Sequence, residues 1–166
     1  TDAVSISVGE DNSEIITNIF VDIGNQTGGT IQSSTTDGGA IGNATDANAY
    51  ITQVTTATNG IVYKAELICL EVPTVSSGAL MLDFDLRANA SGTIASGSAV
   101  SGTPICEMAG SSTLGRMVSN FVTASNDYKA ITPDHYLYLA QSGTNAGVYN
   151  KGKFLIKLYG AKVTGL

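Results

Sequence analysis

Asp83 and Asp85 stand two residues apart, and Arg87 follows at the same interval. Paired carboxylates on one side of a strand can act as acid and base, or as oxygen ligands for a hard metal ion. A carboxylate row that ends in a guanidinium reads instead as the charged, wet face of a strand. The second reading fits the neighbours: Leu80, Leu82, Phe84 and Leu86 alternate with Met81, Asp83, Asp85 and Arg87. A strand over this stretch would turn its leucines and phenylalanine inward and both aspartates to solvent. A calcium loop would need further oxygen ligands and a turn, usually with a glycine, where this series continues with arginine. No metal site and no cofactor are expected.

Other chemistry has little to work with. The single histidine, His135, stands in phase with Leu137 and Leu139 at the start of a strand, after Pro133 and Asp134. A triad would require it to meet Cys69, Cys106 or a serine, and no GxSxG nucleophile motif is present. There is no GxGxxG, phosphate loop or CxxC pair. Paired carboxylates on a β-sandwich can hydrolyse glycosides, yet the chain has no Trp, and its 7 Tyr and 4 Phe leave few rings to stack on sugar. No catalytic residues are assigned, and the chain reads as a non-enzyme. Cys69 falls in an apolar strand phase, where a reduced cysteine behaves as a small hydrophobe, so two free thiols are expected rather than a disulfide. Asn25, Asn43 and Asn89 open N-glycosylation patterns, which composition alone generates in a chain so rich in Asn, Ser and Thr.

The elements that must position these groups follow from composition and period. At 166 residues the chain suits one domain. Charged residues are 13% of it, about half the usual fraction, which points to a neutral, hydroxyl-rich surface or to one covered by neighbouring chains. The net charge of −6 is unevenly spread: residues 1–60 hold seven acids and no Lys or Arg. Nucleic acid or an anionic membrane would need clustered basic residues, so neither is expected as a partner. No apolar run is long enough for a membrane span, and the first residues lack the pattern of a signal peptide.

Alternation with period two dominates. "VSISV" puts Val4, Ile6 and Val8 on one face, and residues 14–23 form a second strand candidate without clean alternation. Residues 24–49, with few large apolar side chains, read as a long surface loop or extended arm. "YITQVTT" (50–56) is a weaker strand. In "IVYKAELICLE" (61–71), Ile61, Tyr63, Ala65, Leu67 and Cys69 share a face, with Lys64 and Glu66 opposite. If this strand neighbours 80–87, Lys64 faces Asp85 or Glu66 faces Arg87. Residues 88–104 form another extended loop, and 112–125 favour strand over helix. "HYLYLAQ" (135–141) and "KFLIKLYG" (153–160) flank a three-glycine reversing connection, with Phe154, Ile156 and Leu158 inward and Lys153 and Lys157 outward. The expected fold is all-β: an antiparallel β-sandwich of jelly-roll type with long Gly/Ser/Thr-rich loops, residues 61–166 forming the core and 1–60 an acidic arm and loop-rich segment packed on the same domain. The glycines behind Val4, Ile6 and Val8 would let that strand reach another subunit and add to its sheet edge, so these three are the candidate partner-binding residues.

"YKAELICLEVP" (63–73), "LDFDLRANASGT" (82–93) and "DHYLYLAQSGTNAGVYNKGKFLIKLYGAKV" (134–163) together resemble the capsid decoration, or knob-like, proteins of tailed phages of marine cyanobacteria. Those share an AEL/C-E-P strand, a D-x-D-L strand followed by a GT loop, and a final YLYL…GKFLI…YG hairpin. The resemblance covers roughly residues 61–160 and leaves 1–60 outside. It implies a non-enzymatic virion structural protein of the capsid surface, assembled in the host cytoplasm, that binds the major capsid protein and its own copies, as in a trimer. The alternative is a receptor- or glycan-binding β-sandwich of a phage tail fibre.

Overall fold

The computed structural model describes residues 4–10, 14–24, 31–102, 104–110, 112–121 and 131–162. They form two antiparallel sheets. In the larger, β1 (Val4–Glu10), β2 (Glu14–Asp22), β11 (Gly147–Ala161), β6 (Ile61–Gly78) and β9 (Met117–Phe121) lie side by side. Two short strands, β3 (Ile31–Gln32) and β4 (Gly42–Asn43), continue the sheet from the start of β11. The smaller sheet runs β5 (Thr52–Gln53), β10 (Tyr136–Gln141), β7 (Phe84–Asn89) and β8 (Cys106–Met108). The single helix among the described residues is one turn, α1 (Thr56–Asn59). Its N-cap is Thr55, whose hydroxyl accepts from Thr58 N–H, while buried Asn59 donates to Thr17 of β2 at 2.9 Å. Gly160 lets this turn sit on β11, since any Cβ there would collide with the Asn59 carbonyl.

The core lies between the sheets. Ile19, Val21, Leu67, Cys69, Phe154, Ile156 and Leu158 of the larger sheet meet Phe84, Leu86, Met108, Leu137 and Leu139 of the smaller. Phe84 is central, with its ring 4.7 Å from Phe154 and 5.8 Å from Tyr149. The first sixty residues supply Ile19, Val21, Ile23, Ile31, Ile41 and Val54 to the same cluster.

Several expectations are corrected. Residues 61–71 do not share one face throughout: Ala65, Leu67 and Cys69 are buried, but Ile61 and Tyr63 are exposed and Val62 is buried instead. The cause is a bulge. Tyr159 pairs with Lys64 and the next residue, Gly160, with Val62, so Tyr63 is an extra residue that inverts the phase. β6 and β7 belong to different sheets, so the expected Lys64–Asp85 and Glu66–Arg87 pairs do not form; Lys64 pairs with Glu66 at 2.5 Å, and Arg87 with Asp85 at 2.7 Å. Likewise β10 and β11 are not a hairpin, because residues 142–146 cross between sheets. The strand expected from Leu80 begins at Phe84, with Leu80 exposed and Met81 buried, and His135 precedes β10 rather than starting it.

The two Gly/Ser-rich stretches remain loops with exposed residues at 44–48 and 98–99, but residues 38–42 and Val100 are buried against the smaller sheet instead of standing free as an arm. Segment 38–42 pairs with β10 through an Ala40–Ala140 bridge and so extends the smaller sheet, and 97–100 pairs in turn with 38–40 and curls over the outer face, where Ala40, Ala49, Val100, Tyr138 and Ala140 form their own buried cluster. Small side chains make this close approach possible. Gln141 fastens this cover, donating from Nε2 to the carbonyls of Ser34, Thr36 and Gly143 and accepting from Ser34 N–H at 3.1 Å.

That cover also overturns the wet-face reading of the aspartates. Asp85 is 0% exposed. Its Oδ2 accepts from Arg87 Nη2 at 2.7 Å and Nε at 3.1 Å, and Arg87 Nη1 donates to the carbonyls of Val100 and Gly102, both at 3.1 Å. Gly38, at φ 70°, brings its backbone against the guanidinium, where a Cβ would fall 2.9 Å from Nη1. Burial pushes the Asp85 carboxyl above its ordinary range despite Arg87, and Oδ1 has no hydrogen-bond partner. The pair is a clasp that holds the covering loops to β7. Asp83 lies outside it, half-buried ahead of the strand.

Candidate partner-binding edge

β1 owes its strand to the apolar alternation of Val4, Ile6 and Val8 with Ser5 and Ser7. It is paired along its whole length with β2, from Val4 opposite Val21 to Glu10 opposite Ile15. Residues 1–3, 11–13 and 25–30 lie outside the described residues, and among those described no strand pairs with the other edge of β1. Natural sheets guard such edges with Lys, Pro or an inward charge. "VSISVGE" has no Lys, Arg or Pro.

The three predicted residues diverge in environment. Val4 packs partly on the core, while Ile6 and Val8 are 47% and 43% exposed. They point to the sandwich side of the larger sheet, but β5, the edge of the smaller one, is only two residues long and leaves them uncovered. Beside them opens a cleft of about 330 Å³. Val4, Ile6, Ile23, Ile31, Ile41 and Ile51 make its apolar walls, and Asp22, Asn43, Asp46, Asn48 and Tyr50 its polar rim. A strand laid on β1 would find main-chain donors and acceptors along the edge and an apolar recess for alternate side chains. The Asp46 carboxylate favours a neutral or basic segment there over an acidic one.

The sequence reading missed the rim, because residues 41–50 reach the cleft through a loop with no period. Tyr50 was the available signal: a large aromatic among small polar residues, here edge-on to Tyr136 at 4.9 Å.

The remaining candidates are dispersed. His135 Nδ1 lies 3.4 Å from the Pro133 carbonyl. Among the described residues, no three His, Cys, Asp or Glu side chains gather as a metal site, and no helix is long and apolar enough to cross a membrane. Cys69 and Cys106 are buried and unbridged, and each thiol lies 3.5 Å from a carbonyl, that of Glu71 and Ala65 respectively. Burial pushes the Cys69 thiol up, away from the reactive thiolate. Both cysteines should therefore resist a thiol reagent in the native protein and label fully after denaturation without reductant. Labelling that needs prior reduction would establish a disulfide instead.

Comparison with protein-family models, with curated proteins and with solved structures gives no match to this chain.

Proposed function

We propose that the protein is a non-enzymatic virion structural protein, a capsid decoration protein that binds the major capsid protein and strengthens the shell by burying surface between its subunits. The unguarded β1 edge beside an apolar cleft carries this reading, since an isolated soluble domain leaves such an edge open to indiscriminate pairing. The low charge content and the sequence resemblance over residues 61–160 support it. The site is the outer edge of the capsid-surface subunit, and Val4, Ile6 and Val8 are the residues that meet the partner.

A tail-fibre domain that binds a receptor or glycan is the second reading. The cleft rim favours it, because Asn43, Asn48, Asp46 and Tyr50 combine amides, a carboxylate and a ring as sugar sites do.

Removal of the gene separates the two. Decoration predicts that heads assemble without the protein, release their contents at lower temperature, and regain resistance when purified protein is added back. Heads of unchanged heat resistance together with lost host attachment would support the tail-fibre reading and sink decoration.

A further inference from the structure

In an ordinary antiparallel sandwich, side chains on the outer faces are polar. The larger sheet departs from this. Its register sets Ser5, Phe20, Leu155, Ile68 and Met117 in a single row across β1, β2, β11, β6 and β9. Four consecutive members are apolar, a ladder spanning roughly 15 Å at about 4.8 Å per strand. Met117 is 54% exposed, and Leu70 beside the row is 40% exposed. None of the four belongs to either buried cluster. The smaller sheet has its outer face covered by the chain's own loops, whereas among the described residues β2, β11 and β6 make their principal contacts with ladder neighbours, α1 and β8.

Charged rows border the ladder on both sides. On one side Asn18, Lys157, Glu66 and Ser119 stand in register. On the other, Lys153 Nζ lies 2.8 Å from Glu71 and 3.9 Å from Asp22. In both rows the lysine is on β11 and the glutamate on β6.

We propose that this face joins two copies of the chain, sheet on sheet, about a two-fold axis that runs along the strands between β11 and β6. Such an axis exchanges β11 with β6 and β2 with β9. It sets Leu155 over Ile68 and Phe20 over Met117, so the ladder covers itself. It also sets Lys153 over Glu71, and Lys157 over Glu66, a buried carboxylate that already pairs with Lys64 and accepts from the Tyr159 hydroxyl, so the exposed charge match is that of Lys153 with Glu71. The order of signs in the two rows selects a second copy, because a partner of other sequence would have to supply that order in reverse. The face is also nearly neutral, with Lys64, Lys153 and Lys157 against Glu14, Asp22, Glu66 and Glu71, although the chain carries −6. Two copies can therefore approach here without the repulsion expected elsewhere on their surfaces.

Sedimentation of the full chain at about 10 µM, a concentration at which a standard interface is populated, tests the proposal apart from any particle. The parent should sediment at twice 17.0 kDa. Met117→Lys, a change at an exposed site, should weaken the dimer at least tenfold. Lys153→Glu/Lys157→Glu makes the face acidic, and Glu66→Lys/Glu71→Lys makes it basic. With parental circular dichroism, each should be monomeric alone and should dimerise when the two are mixed. A monomeric parent overturns the proposal. So does a trimer, which an isologous face cannot build, or a dimer that Met117→Lys leaves equally tight. If the charge variants misfold, the parent and Met117→Lys still decide.

Discussion

Asp85→Ala is expected to lower stability by about 3 to 5 kcal/mol, because removing one partner of a buried ion pair leaves the other charge uncompensated. For a domain of this length each kcal/mol is worth about 2–4 °C, so the melting temperature should fall by roughly 6 to 20 °C. Arg87 is the group left behind: its side chain is only 13% exposed, and it would retain only the Val100 and Gly102 carbonyls. Asp83→Ala, two residues away, should change stability by no more than about 0.5 kcal/mol, as at an ordinary surface site. Equal effects at the two positions would contradict the clasp. The pH dependence has a definite sign. Burial raises the Asp85 carboxyl in the folded state, so its contribution is fully present below the unfolded value of about 3.9 and is lost as pH rises through the folded value. Asp85→Asn removes that titration. The margin of the parent over Asp85→Asn should therefore be widest below about pH 4 and narrow on the way to neutrality, as read from melting curves at each pH.

The second large effect is expected at β1. Deleting residues 1–9 should leave a folded sandwich, since β1 contributes to the core only the partly buried Val4, yet particle occupancy should drop at least tenfold. Ile6→Lys/Val8→Lys is the sharper version, because it keeps the strand and guards its edge with charge. Both variants should melt within a few degrees of the parent while failing to decorate. Full occupancy of either would refute the edge as the binding site. A truncated chain that does not fold would place β1 among the elements the domain requires.

The all-β class was legible because period two survives wherever one face is buried and the other is polar, as in Phe154, Ile156 and Leu158 against Lys153 and Lys157. It failed where both faces are occupied. β2 read as lacking clean alternation, yet Ile15, Thr17, Ile19 and Val21 are all buried in strict alternation. The pattern was masked because Ile16 and Phe20, on the outer face, are apolar too. Asp85 failed for the converse reason: a carboxylate in the outward phase signals solvent unless more chain lies above it, and here Gly38 and residues 100–102, remote in sequence and too small-sided to announce burial, close over its pair with Arg87. Tyr63 could not be read because a bulge depends on the partner strand. Val4, Ile6 and Val8 were legible as a strand, but their unfinished cover depends on how short β5 is.

The copy number of this protein in purified particles, measured by quantitative densitometry against the major capsid protein, tests the central claim most directly. A decoration protein is predicted at a number comparable to the capsid subunit. A few copies per particle, or none, would contradict it.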